Sequence, residues 1–361
     1  MILHIKSYTK LGEVMKKIVL FVCVFLFPIQ VSALTDSGHN SIVMDMDSGR
    51  ILYQKNSNSK HLIASITKIM TAVIALDNAK PTDIYQAKEE VLEMYGTNIY
   101  IEYKEKMSLK DLLYGLMLRS GNDAAVVIAN NVCKNEKEFV KKMNEKAKEI
   151  GMKNTIFQNP HGLDEKTQNY STAYDMAILS RYAYKNYPLF RKISGTKKYI
   201  SKNKEKTYLW YNRNKLLNMY EYTTGGKTGY TPSAGKTFVS TASKNNLNLT
   251  IVTLDDSNTY ENHKALYEKI YKNYQGYKIV DANHFDIDKN YFIKKSFSYP
   301  LTKEEKENIK TLTRIDDSLS GEKKGKVEIY LYDKLIHTIP IYENTKKENR
   351  KESTFFGKLF S

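Results

Sequence analysis

The chain has 361 residues, a hydrophobic share of 41% and a formal net charge of +16. This length and composition exclude a single small domain and are typical of a soluble globular protein with one large core and a second module. The positive charge favours anionic surroundings: nucleic acid, acidic phospholipid headgroups or an anionic cell-wall polymer. Because the lysines are spread along the whole chain and no nucleic-acid-binding signature is present, we expect no nucleic-acid partner.

An export signal is predicted at the N-terminus. Two lysines precede the apolar stretch 18–27, and a run of small residues that ends at Ala33 follows it. The stretch is too short for a membrane-spanning helix, which needs about 20 residues, so we predict a signal peptide over 1–33. Met15 would then be the true start of translation. We expect an exported protein at the outer face of the cytoplasmic membrane or in the cell wall.

Two cysteines are present, and only one would survive cleavage of the signal peptide. Cys23 lies in the apolar stretch, whereas Cys133 follows the apolar segment "AAVVIANNV". A single thiol cannot form an intramolecular disulfide, so core packing must stabilise the exported protein. The apolar neighbours of Cys133 indicate a core residue and not a nucleophile.

Strands are predicted before helices, and strands return afterwards. The alternation over 41–56 predicts a β-hairpin that leads into an apolar helix near Ser65. Further helices are predicted over 108–118, over 138–150, after a cap at Ser171 or Thr172, and over about 261–272. From 223 onward, β-branched runs separated by the turn "KNNLN" predict strands that close the same sheet. The pattern indicates an α+β domain over 34–274 with a helix packed on an antiparallel sheet.

The C-terminal part has a different composition. Short alternating segments such as "KVEIYLYD" and "LIHTIPIY" predict a small β domain over 275–344. Residues 345–361 form a basic linker and a short tail, whose apolar side chains share one helical face beside Lys358: Phe355, Phe356, Leu359 and Phe360. This tail either makes peripheral contact with a membrane or is disordered.

The sequence Ser65-Ile66-Thr67-Lys68 opens the apolar helix. The pattern S-x-x-K alone means little, because it also begins at Ser7, Ser57, Ser194, Ser201, Ser233 and Ser320. Only at Ser65 does it open a long apolar stretch. Residues i and i+3 share a helix face, and a lysine that burial keeps partly neutral can remove the proton of a neighbouring serine.

Two further motifs follow in an order that matters. Ser120-Gly121-Asn122 breaks one helix and starts the next, and helix capping by Ser120 or Asn122 would also explain it. Lys227-Thr228-Gly229 occurs once and lies at the start of a predicted strand. S-x-x-K, then S-x-N, then K-T-G is the order found in penicillin-binding proteins and serine β-lactamases.

In the order and setting of these motifs, the chain resembles the D-alanyl-D-alanine carboxypeptidases among the low-molecular-mass penicillin-binding proteins. The resemblance covers about 40–270 and rests on these segments: "IVMDMDSGRILYQKNSNSKHLIASITKIMTAVIAL", "LMLRSGNDAAV", "FQNPHGLD", "YSTAYDMA" and "GGKTGYTPSAGKTFVSTA". It implies a β-lactamase/transpeptidase-like catalytic domain followed by a small all-β domain and a membrane-attaching end. It also implies a peptidoglycan pentapeptide as substrate and β-lactam antibiotics as covalent inhibitors.

The resemblance implies roles for matching residues. Ser65 would attack the carbonyl between two D-alanines, Lys68 would accept its proton, and Ser120 would relay that proton to the leaving nitrogen. The remaining matching positions would bind substrate: Asn122, Lys227, Thr228, Gly229 and Tyr230. The backbone N–H groups of Ser65 and Tyr230 would form the oxyanion hole.

One departure from the family pattern concerns the substrate carboxylate. Many members carry an arginine after "VSTA", whereas "LTIVTLDDSNTYENHKAL" has none. Lys264 or His263 would take the place of this arginine. Alternatively, His263 is an ordinary surface residue. We interpret Asn159, His161 and Gly162 as turn residues and expect no metal or cofactor.

Two other functions stay open. A serine β-lactamase shares the chemistry, although class A enzymes have S-D-N where this chain has Ser120-Gly121-Asn122. A catalytically weak penicillin-binding scaffold of the cell envelope is the other. The base for deacylation has no candidate in the sequence.

Overall fold

The structure is a computed structural model that describes residues 36–203, 206–285, 290–316 and 318–344. The predicted signal peptide and tail lie outside these ranges, so both remain predictions. Within the described ranges, every helix is too short or too polar to cross a bilayer.

The strands are β1 (Gly38–Asp45), β2 (Ile51–Lys55), β3 (His61–Leu62), β4 (Ile84–Gln86), β5 (Lys106–Ser108), β6 (Tyr170–Ser171), β7 (Lys198–Lys202), β8 (Thr207–Tyr211), β9 (Thr223–Thr231), β10 (Gly235–Lys244), β11 (Leu247–Asp256), β12 (Gln275–Val280), β13 (Tyr291–Ile293), β14 (Phe297–Leu301), β15 (Ile309–Ile315), β16 (Lys323–Leu331) and β17 (Lys334–Glu343).

The helices fall mainly between β3 and β9. They are α1 (Lys68–Asn78), α2 (Leu109–Tyr114), α3 (Asn122–Val132), α4 (Glu136–Glu149), α5 (Ala173–Asn186), α6 (Pro188–Gly195), α7 (Leu216–Met219), α8 (Thr259–Asn273) and α9 (Lys303–Glu307).

The main sheet has the strand order β2-β1-β11-β10-β9. All neighbouring strands are antiparallel, and β1 from the start of the domain pairs with β11 from its end. This closure of one sheet by distant segments confirms the α+β prediction. Strand β9 lies at the edge, where a strand can pair with an extended peptide.

Helix α1 lies at the centre of the larger hydrophobic core. Its residues from Lys68 to Ala75 are all buried, and α3, α4 and α5 pack around it. A helix that is apolar on all sides is stable only when it is enclosed in this way. Each buried Ile, Val or Met side chain contributes about 1.5–3 kcal/mol, so the enclosure holds the first turn of α1 firmly.

Local signals place the helix ends close to where the sequence predicts them. Ser108 caps α2 by accepting a hydrogen bond from the backbone N–H of Asp111. Asn135 caps α4 and Thr172 caps α5 in the same way. The predicted helix 108–118 changes after Tyr114 into a π-helical turn, Gly115–Arg119.

The predicted turn "KNNLN" joins β10 to β11. Asn245 and Asn246 are its two central residues, with φ angles of 53° and 59°. Two consecutive left-handed residues form the tight hairpin turn that matches strand twist, and asparagine tolerates this conformation. The prediction is confirmed.

The C-terminal part contains a β13-β17-β16-β15 sheet and the β12-β14 pair. These strands share a core of their own, which includes Phe297, Ile329 and Ile341. Helix α9, with a capping box between Thr302 and Glu305, is an addition to the predicted all-β composition.

An arginine connects the two parts of the chain. The Nη1 of Arg50 lies 2.6 Å from the carbonyl oxygen of Pro300, and its Nη2 lies 2.5 Å from Glu305 Oε1. The guanidinium also lies 5.0 Å from the ring centre of Tyr299. Because this pairing is bidentate and largely shielded from water, it holds the β1–β2 hairpin against the C-terminal domain.

Candidate active site

Ser65 lies on a short 3-10 turn, Ala64–Thr67, directly before α1. Neighbouring segments hold this turn in place: Thr237 on β10 donates to the carbonyl oxygen of Ile63 at 3.0 Å, and Asn169 donates to the hydroxyl of Thr67 at 3.0 Å. Ala64 has a left-handed φ of 46°, which is costly for a residue with a Cβ. The surrounding structure therefore imposes the conformation that leaves Ser65 half-buried at the surface of the core.

Two glycines allow other segments to approach Ser65. A Cβ at Gly229 would lie 2.9 Å from the backbone nitrogen of Ser65. A Cβ at Gly162, whose φ is +88°, would collide with the carbonyl oxygen of Ala64. The β9 strand and the 159–163 turn thus lie directly against the backbone of the serine.

Lys68 is completely buried, and its Nζ lies within reach of three oxygen atoms. It is 3.0 Å from Ser65 Oγ and 2.8 Å from Asn122 Oδ1, and it also contacts the carbonyl oxygen of His161. The two carbonyl oxygens only accept hydrogen bonds, so they take the two N–H groups of a neutral amine. The nitrogen lone pair is then left for the hydroxyl proton of Ser65.

The surroundings of Lys68 favour this neutral form. Burial lowers the pKa of Lys68 well below its ordinary value, and the charges of Lys227 and Arg213 lower it further. The carboxylate of Asp123 raises the pKa of Lys68, but this carboxylate accepts hydrogen bonds from the backbone N–H groups of Ile99 and Ile101. These surroundings therefore favour a neutral amine, the form in which a lysine can accept a proton.

Lys227 is the second buried lysine, with 1% of its surface exposed. Its Nζ donates to Ser120 Oγ at 2.9 Å and to the carbonyl oxygen of Thr228 at 2.7 Å. Burial, together with the nearby charge of Arg213, lowers the pKa of Lys227 to about 7. Lys227 is thus partly charged near neutral pH and lies beside the hydroxyl of Ser120.

Ser120 and Asn122 have different positions and different contacts in the structure. Ser120 ends the π-helical turn with a left-handed φ of 67° and is buried. Helix α3 begins at Asn122 after Gly121, without a side-chain cap. The alternative that Ser120 or Asn122 only caps this helix is therefore wrong, because both side chains point to the lysines.

Asn122 also fixes the loop beside the site. Its Nδ2 donates to the carbonyl oxygen of Tyr95 at 2.8 Å, and its backbone N–H donates to that of Thr97 at 2.7 Å. Tyr95 is partly exposed at this wall, and Tyr230 on β9 is 64% exposed. The side chain of Asn122 therefore contacts both Lys68 and the loop that carries Tyr95.

Arg213 is a functional candidate that the sequence does not single out. Its Nη1 donates to Thr97 Oγ1 at 3.1 Å, and its backbone N–H donates to the carbonyl oxygen of Leu118. Its charge lowers the pKa of both Lys68 and Lys227. The segment "YNRNK" carries no motif, so only the fold brings this guanidinium to the site.

The expectation for residue 263 needs correction. His263 is completely buried, and its ring lies 2.7 Å from Ser240 Oγ and 2.9 Å from Thr253 Oγ1. Burial lowers the pKa of His263 to about 3. The interpretation as a surface residue is wrong, because the β-strand hydroxyls satisfy a neutral imidazole in the core. Lys264 is exposed on α8.

The prediction of turn residues at 159–162 is confirmed. Asn159 Oδ1 accepts a hydrogen bond from the backbone N–H of Gly162 at 2.6 Å. The turn does more than connect strands, since the carbonyl oxygen of His161 contacts Lys68 and that of Pro160 accepts from Thr71 at 2.6 Å. The backbone of this turn is part of the environment of the lysine.

Cys133 agrees with the sequence interpretation. It is partly buried and packs against the main core. Burial raises the pKa of its thiol, which disfavours the reactive thiolate.

This geometry agrees with comparisons to known proteins. The sequence profile of the family described as D-alanyl-D-alanine carboxypeptidase matches residues 29–258. The D-alanyl-D-alanine carboxypeptidase DacF of Bacillus subtilis (strain 168) is 33% identical over 349 residues, which cover 90% of this chain and 88% of DacF. A D-alanyl-D-alanine endopeptidase of Pseudomonas aeruginosa is 34% identical over 226 residues, which cover 61% of this chain and 72% of that protein.

A solved structure extends the similarity to both domains. Penicillin binding protein 5 from Haemophilus influenzae superposes with a TM-score of 0.73 at 27% identity, and the match covers 87% of this chain and 98% of that one. The predicted penicillin-binding fold with its C-terminal β domain is confirmed. The chain belongs to the D-alanyl-D-alanine carboxypeptidase family.

Proposed function

We propose that this protein is a serine-type carboxypeptidase that removes the terminal D-alanine from peptidoglycan stem pentapeptides through an acyl-enzyme on Ser65. The observation that carries the proposal is the set of contacts around Lys68. Two carbonyl acceptors hold its N–H groups, so its lone pair is directed at Ser65 Oγ, 3.0 Å away. General-base assistance of this kind accelerates a reaction by about 10²–10⁴-fold.

In the acylation step, Ser65 Oγ attacks the carbonyl carbon between the two D-alanines while its proton passes to Lys68 Nζ. The carbonyl oxygen becomes an oxyanion. The backbone N–H groups of Ser65 and Tyr230 are our candidates for its stabilisation, and the close approach of β9 at Gly229 to the Ser65 backbone supports this pairing of strand and turn. One such donor contributes about 3 kcal/mol in the transition state.

When the C–N bond breaks, the leaving nitrogen needs a proton. Ser120 is our candidate for the relay, because its hydroxyl accepts a hydrogen bond from Lys227 and so can orient its own proton toward the substrate. Free D-alanine leaves, and a water molecule then hydrolyses the ester on Ser65. Asn122 would contact the substrate amide as well as hold Lys68.

The terminal carboxylate requires positive charge and hydroxyl donors. Thr228 on the edge strand is half-buried, and the Nζ of Lys227 lies 2.7 Å from its carbonyl oxygen. We propose Arg213 as the cation that replaces the missing arginine of the family pattern. Its effect on the pKa of both buried lysines supports a position close to the site.

The extent of the similarity favours carboxypeptidase activity over endopeptidase activity. The match to the carboxypeptidase DacF covers 90% of this chain, whereas the match to the endopeptidase covers 61%. We also propose export by the predicted signal peptide and action at the cell wall. β-Lactam antibiotics would acylate Ser65, and the C-terminal tail would provide peripheral membrane contact.

The test compares the wild type with Ser65→Ala. Each protein is incubated with a fluorescent penicillin and, separately, with a pentapeptide that ends in D-Ala-D-Ala. We expect stable labelling and release of one D-alanine per peptide from the wild type alone. Rapid loss of the label would indicate a β-lactamase, and labelling without D-alanine release would indicate a scaffold protein.

A further inference from the structure

A cleft of about 940 Å³ lies between the larger domain and the C-terminal domain. A smaller depression of about 370 Å³ adjoins it and shares Asp47, Arg181 and Lys185 with it. We call the larger space the basic cleft and define it by its four cations, Arg181, Lys185, Lys294 and Lys295. Its volume is in the range of sites that bind small molecules or short polymer segments, about 300–1,000 Å³.

The four cations come from both domains. Arg181 and Lys185 are four residues apart on α5 and therefore share one helix face, while Lys294 and Lys295 lie between β13 and β14. Burial lowers the pKa of Lys185, and Arg181 and Lys295 lower it further, which reflects the proximity of these charges across the cleft. Positive charge is thus concentrated where the two domains meet.

In the described part of the chain, carboxylates offset this charge only in part: burial and the neighbouring cations lower the pKa of Lys185, whereas Asp47 and Asp45 raise it. None of the four cations forms an ion pair there. Asp47 lines the cleft, but its Oδ2 accepts a hydrogen bond from Asn248 at 2.7 Å. An excess of like charge in a concave site is relieved when an anion binds.

Two of the four cations, Arg181 and Lys294, are held in place by neighbouring groups. The Nε of Arg181 donates to the carbonyl oxygen of Met46 at 2.8 Å, and its Nη2 donates to that of Asp47 at 3.0 Å. The Nζ of Lys294 lies 3.9 Å from the ring centre of Tyr342. The contact of Arg50 with Glu305 joins the two domains as well, so Arg181 and Lys294 need little rearrangement to bind an anion.

The shape of the site distinguishes among anions. A bilayer surface cannot enter a cleft. The single carboxylate of a peptide would neutralise only part of the positive charge of the basic cleft. A flexible chain with repeated phosphates can meet cations on both walls, while its polyol units contact apolar and hydroxyl side chains such as Phe297, Ser298 and Thr338. We propose that the basic cleft binds a phosphodiester-linked polyol chain, the chemistry of an anionic cell-wall polymer.

Such binding would leave the acylation site open. Thr224, which lines the smaller depression, precedes Gly229 by five residues on β9, a separation of about 17 Å along a strand. A polymer in the cleft would therefore hold the protein at the wall without covering Ser65. This role is additional to the proposed carboxypeptidase reaction and does not depend on it.

The test measures binding of a fluorescently labelled oligomer of poly(glycerol phosphate) to the purified protein by anisotropy, at low and high salt. We expect saturable binding that weakens with salt and that is unchanged when penicillin occupies Ser65. The variant Lys185→Gln with Lys295→Gln should bind about tenfold more weakly, because two charge-assisted contacts are lost. Its rate of labelling by fluorescent penicillin should equal that of the wild type.

A matched control removes the same charge elsewhere. Lys141→Gln with Lys148→Gln changes two exposed lysines of α4 and should leave the affinity for the oligomer within twofold of wild type. Equal losses in both double variants, or absence of saturable binding, would overturn the proposal. Binding to anionic lipid vesicles without binding to the oligomer would also overturn it and would indicate a membrane surface instead.

Discussion

The Oδ1 of Asn122 lies 2.8 Å from the Nζ of Lys68, although the two residues are 54 positions apart. This contact joins the first turn of α3 to the first turn of α1. Since Oδ1 only accepts hydrogen bonds, it orients an N–H of Lys68 away from Ser65 and leaves the lone pair for the serine. In the proposed mechanism, Asn122 therefore sets the direction of the lone pair of Lys68.

Asn122→Asp should place a negative charge beside Lys68 and raise its pKa. A rise of one unit makes the neutral amine about tenfold rarer at neutral pH, so acylation should slow about tenfold and its pH profile should shift toward alkaline values. The measurement is the rate of acylation by fluorescent penicillin from pH 6 to about pH 10. A uniform loss at every pH would contradict the prediction and would indicate damage to the Tyr95 loop.

Lys68→Met should abolish acylation and preserve the fold. Methionine fills a similar volume without a charge in the core, so the free energy of unfolding should be equal to or above that of the wild type. The acylation rate should fall at least about 100-fold because the base is lost. Labelling kinetics and urea denaturation measure the two effects. An acylation rate within tenfold of wild type would assign the base to another group.

Lys227→Met should stabilise the protein in a pH-dependent manner. The folded-state pKa of Lys227 is about 7, which is below its pKa in the unfolded chain. At pH values between these two pKa values, the unfolded state therefore binds more protons than the folded state. Wild-type stability should therefore rise with pH from about 7 to the ordinary lysine range, by up to about 1.4 kcal/mol per unit. The stability advantage of Lys227→Met over the wild type should be constant below about pH 7. It should disappear as the pH rises from about 7 to the ordinary lysine range.

Urea denaturation at several pH values measures this difference. Lys236→Met serves as a control, because Lys236 lies on β10 outside the core and its Nζ donates to the carbonyl oxygen of Ser257. The control keeps Lys227, so its stability should rise with pH in parallel with that of the wild type. A stability difference for Lys227→Met that does not change with pH would contradict the assigned cause.

Arg213→Gln should weaken recognition of the terminal carboxylate. The loss of one charged hydrogen bond should raise KM for the D-Ala-D-Ala peptide about tenfold or more. Lys264→Gln provides the matched control, since Lys264 is exposed on α8 and should not affect KM. Steady-state release of D-alanine measures both. The reverse result, with KM raised only in Lys264→Gln, would restore the sequence-based candidate.

His263→Gln should reduce the sensitivity of the fold to acid. The pKa of His263 is about 3 in the folded state, so the stability that the neutral ring contributes is present above the ordinary histidine value and is lost as pH falls toward 3. Because of His263, the free energy of unfolding of the wild type should fall by up to about 1.4 kcal/mol for each unit by which the pH decreases. Glutamine keeps polar contacts without titrating. Equal losses in both proteins between pH 7 and 5 would show that other groups dominate.

Much of the fold follows from local sequence signals. Ser108, Asn135 and Thr172 cap helices through bonds to nearby N–H groups, and Asn245-Asn246 form a turn that needs no distant partner. The positions of Ser65 and Lys68, three residues apart, likewise ensure that the two side chains meet on one face. Short-range chemistry is readable in a sequence because the interacting atoms are close along the chain.

The tertiary structure decided the rest of the site. It brought Arg213 to the buried lysines, turned the carbonyl oxygen of His161 toward Lys68 and placed His263 between strand hydroxyls inside the core. The segment around Arg213 carries no motif, and "FQNPHGLD" around His161 indicates a turn without showing which atom that turn presents to Lys68. The sequence determined which groups can donate, accept or carry a proton, whereas packing decided their distances and their separation from water, on which their pKa values depend.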